Sequence, residues 1–185
     1  KSITIPDSVT SIGEYAFNHC TSLKSITIPK SVTEIGNWAF WDCTSLESIT
    51  ISKSVTLIQH YTFNYCRSLK SITIPESVKD IGVGAFRWCT ALESITLPES
   101  VTRIGYYDFM GCTSLKNITI PKTVTRIEQN AFRGCTSLMN VAIPESVREI
   151  DESAFDDCSA LTAIYVPAKK VDYYKELLPE KLHDK

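Results

Sequence analysis

Apolar positions in this chain recur every 23 residues, strictly enough to be read as columns. Ile3, Ile26, Ile49, Ile72, Ile95, Ile118 and Ile164 share one column, with Val141 the single change. Ile12, Ile35, Ile58, Ile81, Ile104, Ile127 and Ile150 fill a second, and Leu23, Leu46, Leu69, Leu92, Leu115, Leu138 and Leu161 a third. Phe17, Phe40, Phe63, Phe86, Phe109, Phe132 and Phe155 are all seven phenylalanines of the chain. Cys20, Cys43, Cys66, Cys89, Cys112, Cys135 and Cys158 are all seven cysteines. Two complete residue types, each confined to one column, exclude a chance arrangement.

Within one unit, Ile26 to Ser48, the alternation Ile26, Thr27, Ile28 predicts a half-buried strand. Pro29 ends it, because proline has no N–H to give a ladder. Val32 and Ile35 predict a second short extended piece, and Gly36 permits a turn. Ala39, Phe40, Cys43 and Leu46 follow helical spacing, so one or two helical turns are expected, too short to stand alone. Positions 26, 28, 32, 35, 39, 40, 43 and 46 point inward. A unit this short cannot close a core, but stacked units can, each column becoming an internal ladder.

The prediction is an α/β repeat solenoid of seven units, starting at Ile3, Ile26, Ile49, Ile72, Ile95, Ile118 and Val141, with a partial unit from Ile164. A parallel sheet lies on one side and short helical turns with second short strands on the other. At about 4.8 Å per coil the stack is roughly 35–40 Å long. The solenoid is expected over 1–167 and a helical cap and tail over 168–185. Val171 to Leu178 reads as an amphipathic helix that lays Tyr174, Leu177 and Leu178 over the last coil. Lys1-Ser2-Ile3 repeats Lys24-Ser25-Ile26, so the first strand is expected to be an open edge with upstream repeats as its partner. Ser52 stands where proline is usual, Gln59 and Thr62 for glycine and alanine, Glu128 and Asp151 for the turn glycine. Positive φ is therefore not expected at every copy of that turn.

The pattern Leu-x-x-Ile-x-Ile-Pro-x-Ser-Val-x-x-Ile-Gly-x-x-Ala-Phe-x-x-Cys-x-Ser resembles the BspA-like, Treponema-type leucine-rich repeat. The resemblance runs from Lys1 to about Pro167. The unit departs from the commonest leucine-rich repeats, which bury an asparagine in a turn; here Val9, Val32, Val55 and their equivalents fill that space. The resemblance implies a right-handed superhelix with its sheet on one side. It also implies a bacterial cell-surface or secreted, adhesin-like protein that binds host proteins, including extracellular matrix, or other cells.

The formal charge, 19 basic against 21 acidic residues, is −2, which excludes a strongly basic nucleic-acid binder. An apolar fraction of 43% argues against disorder. No run of 18 apolar residues occurs, so no membrane insertion is expected. No signal peptide opens the chain; a removed one would leave the same start.

Seven cysteines, one per coil between Phe and Leu, read as small core residues rather than a bridge framework or a metal site. Stacked neighbours do fall within disulfide reach. Gly82-Val-Gly84 is no dinucleotide fingerprint, and neither a phosphate loop, a His-Glu-x-x-His motif nor a nucleophile elbow is present. No enzyme, cofactor or metal is predicted. His19 and His60 are expected in exposed loops, and the acidic run Glu145, Glu149, Asp151, Glu152, Asp156 and Asp157 as a solvated face. Asn117-Ile118-Thr119 is a lone glycosylation sequon.

The informative variation lies in the turn columns. One runs Tyr15, Trp38, Tyr61, Gly84, Tyr107, Asn130, Ser153; the next Asn18, Trp41, Asn64, Arg87, Met110, Arg133, Asp156; a third His19, Asp42, Tyr65, Trp88, Gly111, Gly134, Asp157. All three tryptophans and five of eight tyrosines fall here or at Tyr106. Tyr15, His19, Trp38, Trp41, His60, Tyr61, Tyr65, Arg87, Trp88, Tyr106 and Tyr107 are thus the candidate binding face, for a protein or, through exposed rings, a glycan. The competing reading has the rings pack on one another and merely shield the turn. Opposite them, Thr4, Thr27, Thr50, Thr73, Thr96 and Thr119 form a uniform hydroxyl ladder suited to strand packing. Two functions stand: a non-enzymatic binding module, or a structural spacer or intracellular scaffold in a longer protein.

Overall fold

The computed structural model describes residues 2–184, so the expected bounds at Lys1 and Lys185 lie outside the described residues. The units stack as a parallel-sheet solenoid of seven turns. Each unit opens with a three-residue strand: Ser2–Thr4, Ser25–Thr27, Ser48–Thr50, Ser71–Thr73, Ser94–Thr96, Asn117–Thr119 and Asn140–Ala142, followed by Ala163–Tyr165. In most of them the central isoleucine or valine is buried and its neighbours face out. The strands pair in parallel at an offset of one repeat, as in Ser25↔Ser48, Ile26↔Ile49 and Thr27↔Thr50. A slip of one residue would turn every isoleucine to solvent, so the repeat itself sets the register. The ladder is hydrogen-bonded in three segments of three, two and three strands.

Two-residue strands Ser11–Ile12, Glu34–Ile35, Leu57–Ile58, Asp80–Ile81, Arg103–Ile104, Arg126–Ile127 and Glu149–Ile150 make the second expected edge. In the second unit every inward position (Ile26, Ile28, Val32, Ile35, Ala39, Phe40, Cys43, Leu46) is at most 4% exposed. The seven phenylalanines form one unbroken stack from Phe17 to Phe155, centroids 5.1–5.6 Å apart and planes within 12°. All seven cysteines are free. Six of them donate S–H to the phenylalanine carbonyl of the preceding unit, from Cys43 to Phe17 O at 3.0 Å through Cys158 to Phe132 O at 3.1 Å. The column thus wants a small residue that also donates, which alanine is not.

The segment from Gly36 to Leu46 differs from the helical expectation. The i to i+3 bonds of helical turns are present: Ala39 N–H to Gly36 O, Trp41 to Trp38, Cys43 to Phe40. Trp38 and Asp42, however, have φ of 51° and 57°, and these left-handed residues keep the turns separate instead of letting them merge into helix. Peptide planes are thereby rotated so that alternate N–H groups aim along the stack. Trp38, Phe40 and Asp42 donate to His60, Thr62 and Asn64 of the next unit at 2.9–3.0 Å. The turn side is therefore a second inter-coil ladder. Gly36 itself is not left-handed; a Cβ there would lie 2.6 Å from the backbone N of Glu14, so close approach of the coils is what asks for glycine.

After the last strand, a 3-10 turn at Ala168–Lys170 leads into helix α1, Val171–Leu177. Tyr174 is fully buried, and its hydroxyl donates to Pro144 O at 2.9 Å. Leu178 and Leu182 join the core, and Lys170 pairs with Glu145 at 3.0 Å. The segment covers the apolar end of the seventh unit. No helix among the described residues is long and apolar enough to cross a membrane.

Candidate functional site

The backbone ladder of the turns decides where the candidate side chains go. Tyr15, His19, Trp38, Tyr61, Tyr65, Trp88 and Tyr107 all have φ between 51° and 63°. A bulky left-handed residue costs on the order of 1 kcal/mol or more, so packing must hold it. It does. Tyr15, Trp38 and Tyr61 stack face to face at 5.2 and 5.7 Å, with planes 7° and 11° apart. Tyr65 and Trp88 form a second row at 6.3 Å. Such contacts contribute roughly 0.5–1.5 kcal/mol each beyond burial, enough to offset the strain.

Both rows end at glycine for a steric reason. A Cβ on Gly84 would lie 2.5 Å from the Tyr61 ring, and one on Gly111 would lie 2.4 Å from the Trp88 ring. The ring of one unit occupies the side-chain space of the next. Between the rows run Asn18, Trp41, Asn64, Arg87 and Met110. His19 Nδ1 lies 2.8 Å from Asp42 Oδ2, with its ring 4.9 Å from Trp41. The Arg87 guanidinium lies 5.9 Å from the Tyr107 ring centre, and that of Arg67 lies 5.1 Å from Tyr65. The indole N–H groups of Trp41 and Trp88 and Nε of Arg87 are buried without a hydrogen-bond partner among the described residues.

The structure thus brings nine of the eleven candidates onto one surface. His60 and Tyr106 stand at its flank. His60 is exposed, as expected, but serves the ladder: its Nδ1 accepts from Val83 N–H at 2.9 Å, and its own N–H donates to Asn37 Oδ1 at 3.1 Å. Tyr106 is 43% exposed and faces Arg126 and Glu128 across a small cavity. Stacked rings present edges, since Trp38 is sandwiched between Tyr15 and Tyr61. The rows are not the open platform a sugar ring stacks upon. A concavity of about 1110 Å³ lies elsewhere, over Ser25, Thr27, Thr50 and Ser52 of the first three units. It is lined by isoleucines such as Ile3, Ile5 and Ile51 with hydroxyls and a few rim charges, rather than by the aromatic set.

One residue escapes the column reading. Asp108 stands where Ala16, Ala39, Ala85, Ala131 and Ala154 stand in other units. Its side chain is buried at 1% exposure, with Oδ2 accepting from Gly105 N–H at 2.7 Å and Oδ1 unpartnered among the described residues. Burial pushes its carboxyl up to about 8; Glu128 adds to the rise, while Gly105 N–H and Arg103 oppose it. Arg103 is held by Asp80 at 3.0 Å and lies 3.8 Å from Glu128. The break in the alanine column was the available signal.

No group of three or more His, Cys, Asp and Glu among the described residues is placed to hold a metal ion. The acidic run is partly paired: Glu145 with Lys170, Glu149 with Arg126, Asp157 with Arg133. Burial pushes the thiols of Cys43 and Cys158 up to about 12, and those of Cys66, Cys89, Cys112 and Cys135 well above the usual range. These are poor nucleophiles.

The family model of the BspA type leucine-rich repeat region, in six copies, matches residues 1–115 and 79–177. A leucine-rich repeat protein of T. pallidum superposes with a TM-score of 0.84 at 30% identity, covering 95% of this chain and 82% of that one. A leucine-rich cell surface protein of Faecalibacterium prausnitzii gives 0.69 at 30% identity, over 100% of this chain and 63% of that one. A leucine-rich repeat protein of Bacteroides ovatus gives 0.56 at 25% identity, over 90% and 69%. No curated protein matches.

Proposed function

Because the chain belongs to the BspA-type leucine-rich repeat family, we propose that it is a non-enzymatic binding module whose protein ligand docks on the aromatic turn face. One observation carries this reading. The phenylalanine stack already closes the core, with Phe40, Phe63, Phe86, Phe109 and Phe132 at 0% exposure. The second aromatic layer of tryptophan and tyrosine outside it is not needed for that closure. It gathers the residue types that dominate binding hot spots on one side of units 1 to 5. The similar F. prausnitzii protein is a cell surface protein, which supports a bacterial surface or secreted setting with adhesin-like binding to a host protein such as a matrix component. This chain spans 63% of the length of that relative.

The second reading, a structural spacer or scaffold, is favoured by the face-to-face stacking, which ties successive units together whatever else it does. A glycan ligand is less well served, because ring edges rather than faces are presented. Binding to a panel of matrix proteins and glycans, by the protein and by a variant with Trp38, Trp41 and Trp88 changed to alanine, separates these readings. Loss of binding to a protein ligand in a still-folded variant supports the module. Binding that survives the triple change moves the site off the aromatic face, and no binding by either form moves the assignment to the spacer.

A further inference from the structure

The arginines of this chain are not equivalent. Arg103 is held by Asp80, Arg126 by Glu149 and Arg133 by Asp157, and Arg148 donates to the Glu145 carbonyl at 2.7 Å. Arg67 and Arg87 have no carboxylate partner among the described residues. Each lies instead against a tyrosine ring, Arg67 on Tyr65 and Arg87 on Tyr107. Resting on a ring fixes a long side chain: Arg67 keeps its donor edge exposed, and Arg87, whose Nε is buried, offers only its two terminal NH2 groups. Tyr65, the ring under Arg67, is itself stacked on Trp88, and Arg87 precedes Trp88 in the chain.

Little opposite charge lies beside them, since Asp42 of the preceding coil is bonded to His19 at 2.8 Å. Turn segments 59–67, 82–90 and 105–113 contain two arginines, no lysine and a single carboxyl, Asp108. That carboxyl is buried in the core column and points away from a ligand. At the far end of the same face the turn of the last unit carries Asp151, Glu152, Asp156 and Asp157. The turn face is thus positive and aromatic in its middle and negative at its C-terminal end.

We infer that units 3 to 5 of the turn face form a docking patch for an acidic peptide segment, with Arg67 and Arg87 as the residues that receive its carboxylates; the inference rests on the binding-module reading above. Guanidinium forks match carboxylates in two-point fashion, and Trp88, Tyr107 and Met110 supply apolar contact beside them. Asp151 and Glu152 at the far end of the face carry charge of the ligand's own sign, which gives the patch a direction. A long polyanion such as RNA fits poorly, because two arginines form no continuous basic groove.

The test uses the whole chain and a fluorescein-labelled decapeptide of aspartate and glutamate with one central tyrosine, read by anisotropy at 25 and 200 mM NaCl. Its asparagine and glutamine counterpart is the neutral probe, and an RNA oligonucleotide the competing polyanion. The expected result is binding of the acidic probe, at least tenfold weaker binding of the neutral one and of RNA, and at least tenfold loss in the Arg67→Gln/Arg87→Gln variant. Arg67→Lys/Arg87→Lys, which keeps charge and loses the fork, is expected between the two. A charge-matched Lys30→Gln/Lys53→Gln control is expected within twofold of the parent. No binding of the acidic probe, tighter RNA binding, or equal losses in variant and control overturn the inference. A protein ligand that needs Trp38, Trp41 and Trp88 but ignores both arginine changes also overturns it, while leaving the parent reading standing.

Discussion

Asp108 makes a quantitative forecast about pH. In the folded chain its carboxyl titrates near 8, and in the unfolded chain near the ordinary 3.8. Between these values the folded state holds a proton that the unfolded state has released. Stability contributed by this group is therefore full below about pH 4 and falls as pH rises toward 8, where both states are ionised and the slope ends. At about 1.4 kcal/mol per pH unit the fall is on the order of 6 kcal/mol. The groups facing it are Arg103, which opposes the rise, and Glu128, which adds to it. Asp108→Ala restores the residue of the column and removes the titration, at the cost of leaving Gly105 N–H unpaired, about 1 kcal/mol. The variant is thus expected to be slightly less stable than the parent at pH 4 and several kcal/mol more stable at pH 8. Asp108→Asn, which keeps an oxygen for Gly105, should lack the pH slope as well. Urea denaturation of the three proteins at half-unit steps from pH 4 to 9 gives the difference curves, in which all other titrations cancel. Parallel curves for parent and alanine variant would refute a neutral buried carboxyl at this site.

The stack makes further predictions. Phe86, with phenylalanine rings at 5.6 Å on both sides, should lose about 3–5 kcal/mol on change to alanine, and the half-buried Phe17 clearly less; equal losses in urea titrations would contradict nearest-neighbour stacking. Gly111→Ala, forced against the Trp88 ring at φ +74°, should cost about 1–3 kcal/mol and shift tryptophan fluorescence. Gly134→Ala, with its nearest neighbour at 3.8 Å, should cost only the backbone strain, about 1 kcal/mol. Thiol labelling at pH 8 should leave Cys66, Cys89, Cys112 and Cys135 unmodified in the folded chain and find about seven thiols after denaturation.

The coil geometry was legible because identical columns leave a unit no choice of register. Ile26 can pair only with Ile3 and Ile49 if all three are to stay inside. The turn was misread at a particular place. The glycine column suggests the left-handed position, but at Gly36 and Gly82 glycine answers close approach of the neighbouring backbone, 2.6 Å from a Cβ in each case. The true left-handed columns hold Gly84 and Asn130 in one case, Asp42, Gly111, Gly134 and Asp157 in the other. Those are the residues that tolerate such backbone, and they were visible in the list of turn variants. The aromatics among them hid the signal, because Tyr15, Trp38, Tyr61, Tyr65 and Trp88 are held there by a ring of the neighbouring unit and Tyr107 by Arg87, contacts that no single unit contains. Cys43 shows the same limit: its column reads as small and apolar, while the acceptor that makes it a donor, Phe17 O, lies one coil away. Asp108 is legible in the sequence as the one charged residue in the alanine column of Ala16, Ala39, Ala85, Ala131 and Ala154.

The central claim is that the aromatic turn face is the surface a ligand covers. Oxidative footprinting of the protein alone and in complex with a ligand captured from the panel tests it most directly. Protection is predicted at Trp38, Trp41, Tyr65, Trp88 and Tyr107, with Tyr165 and Tyr173 at the C-terminal end unchanged. Protection confined to residues away from the turns, such as the 41%-exposed Ile3 of the strand face, with the tryptophans as reactive as in the free protein, would contradict the account.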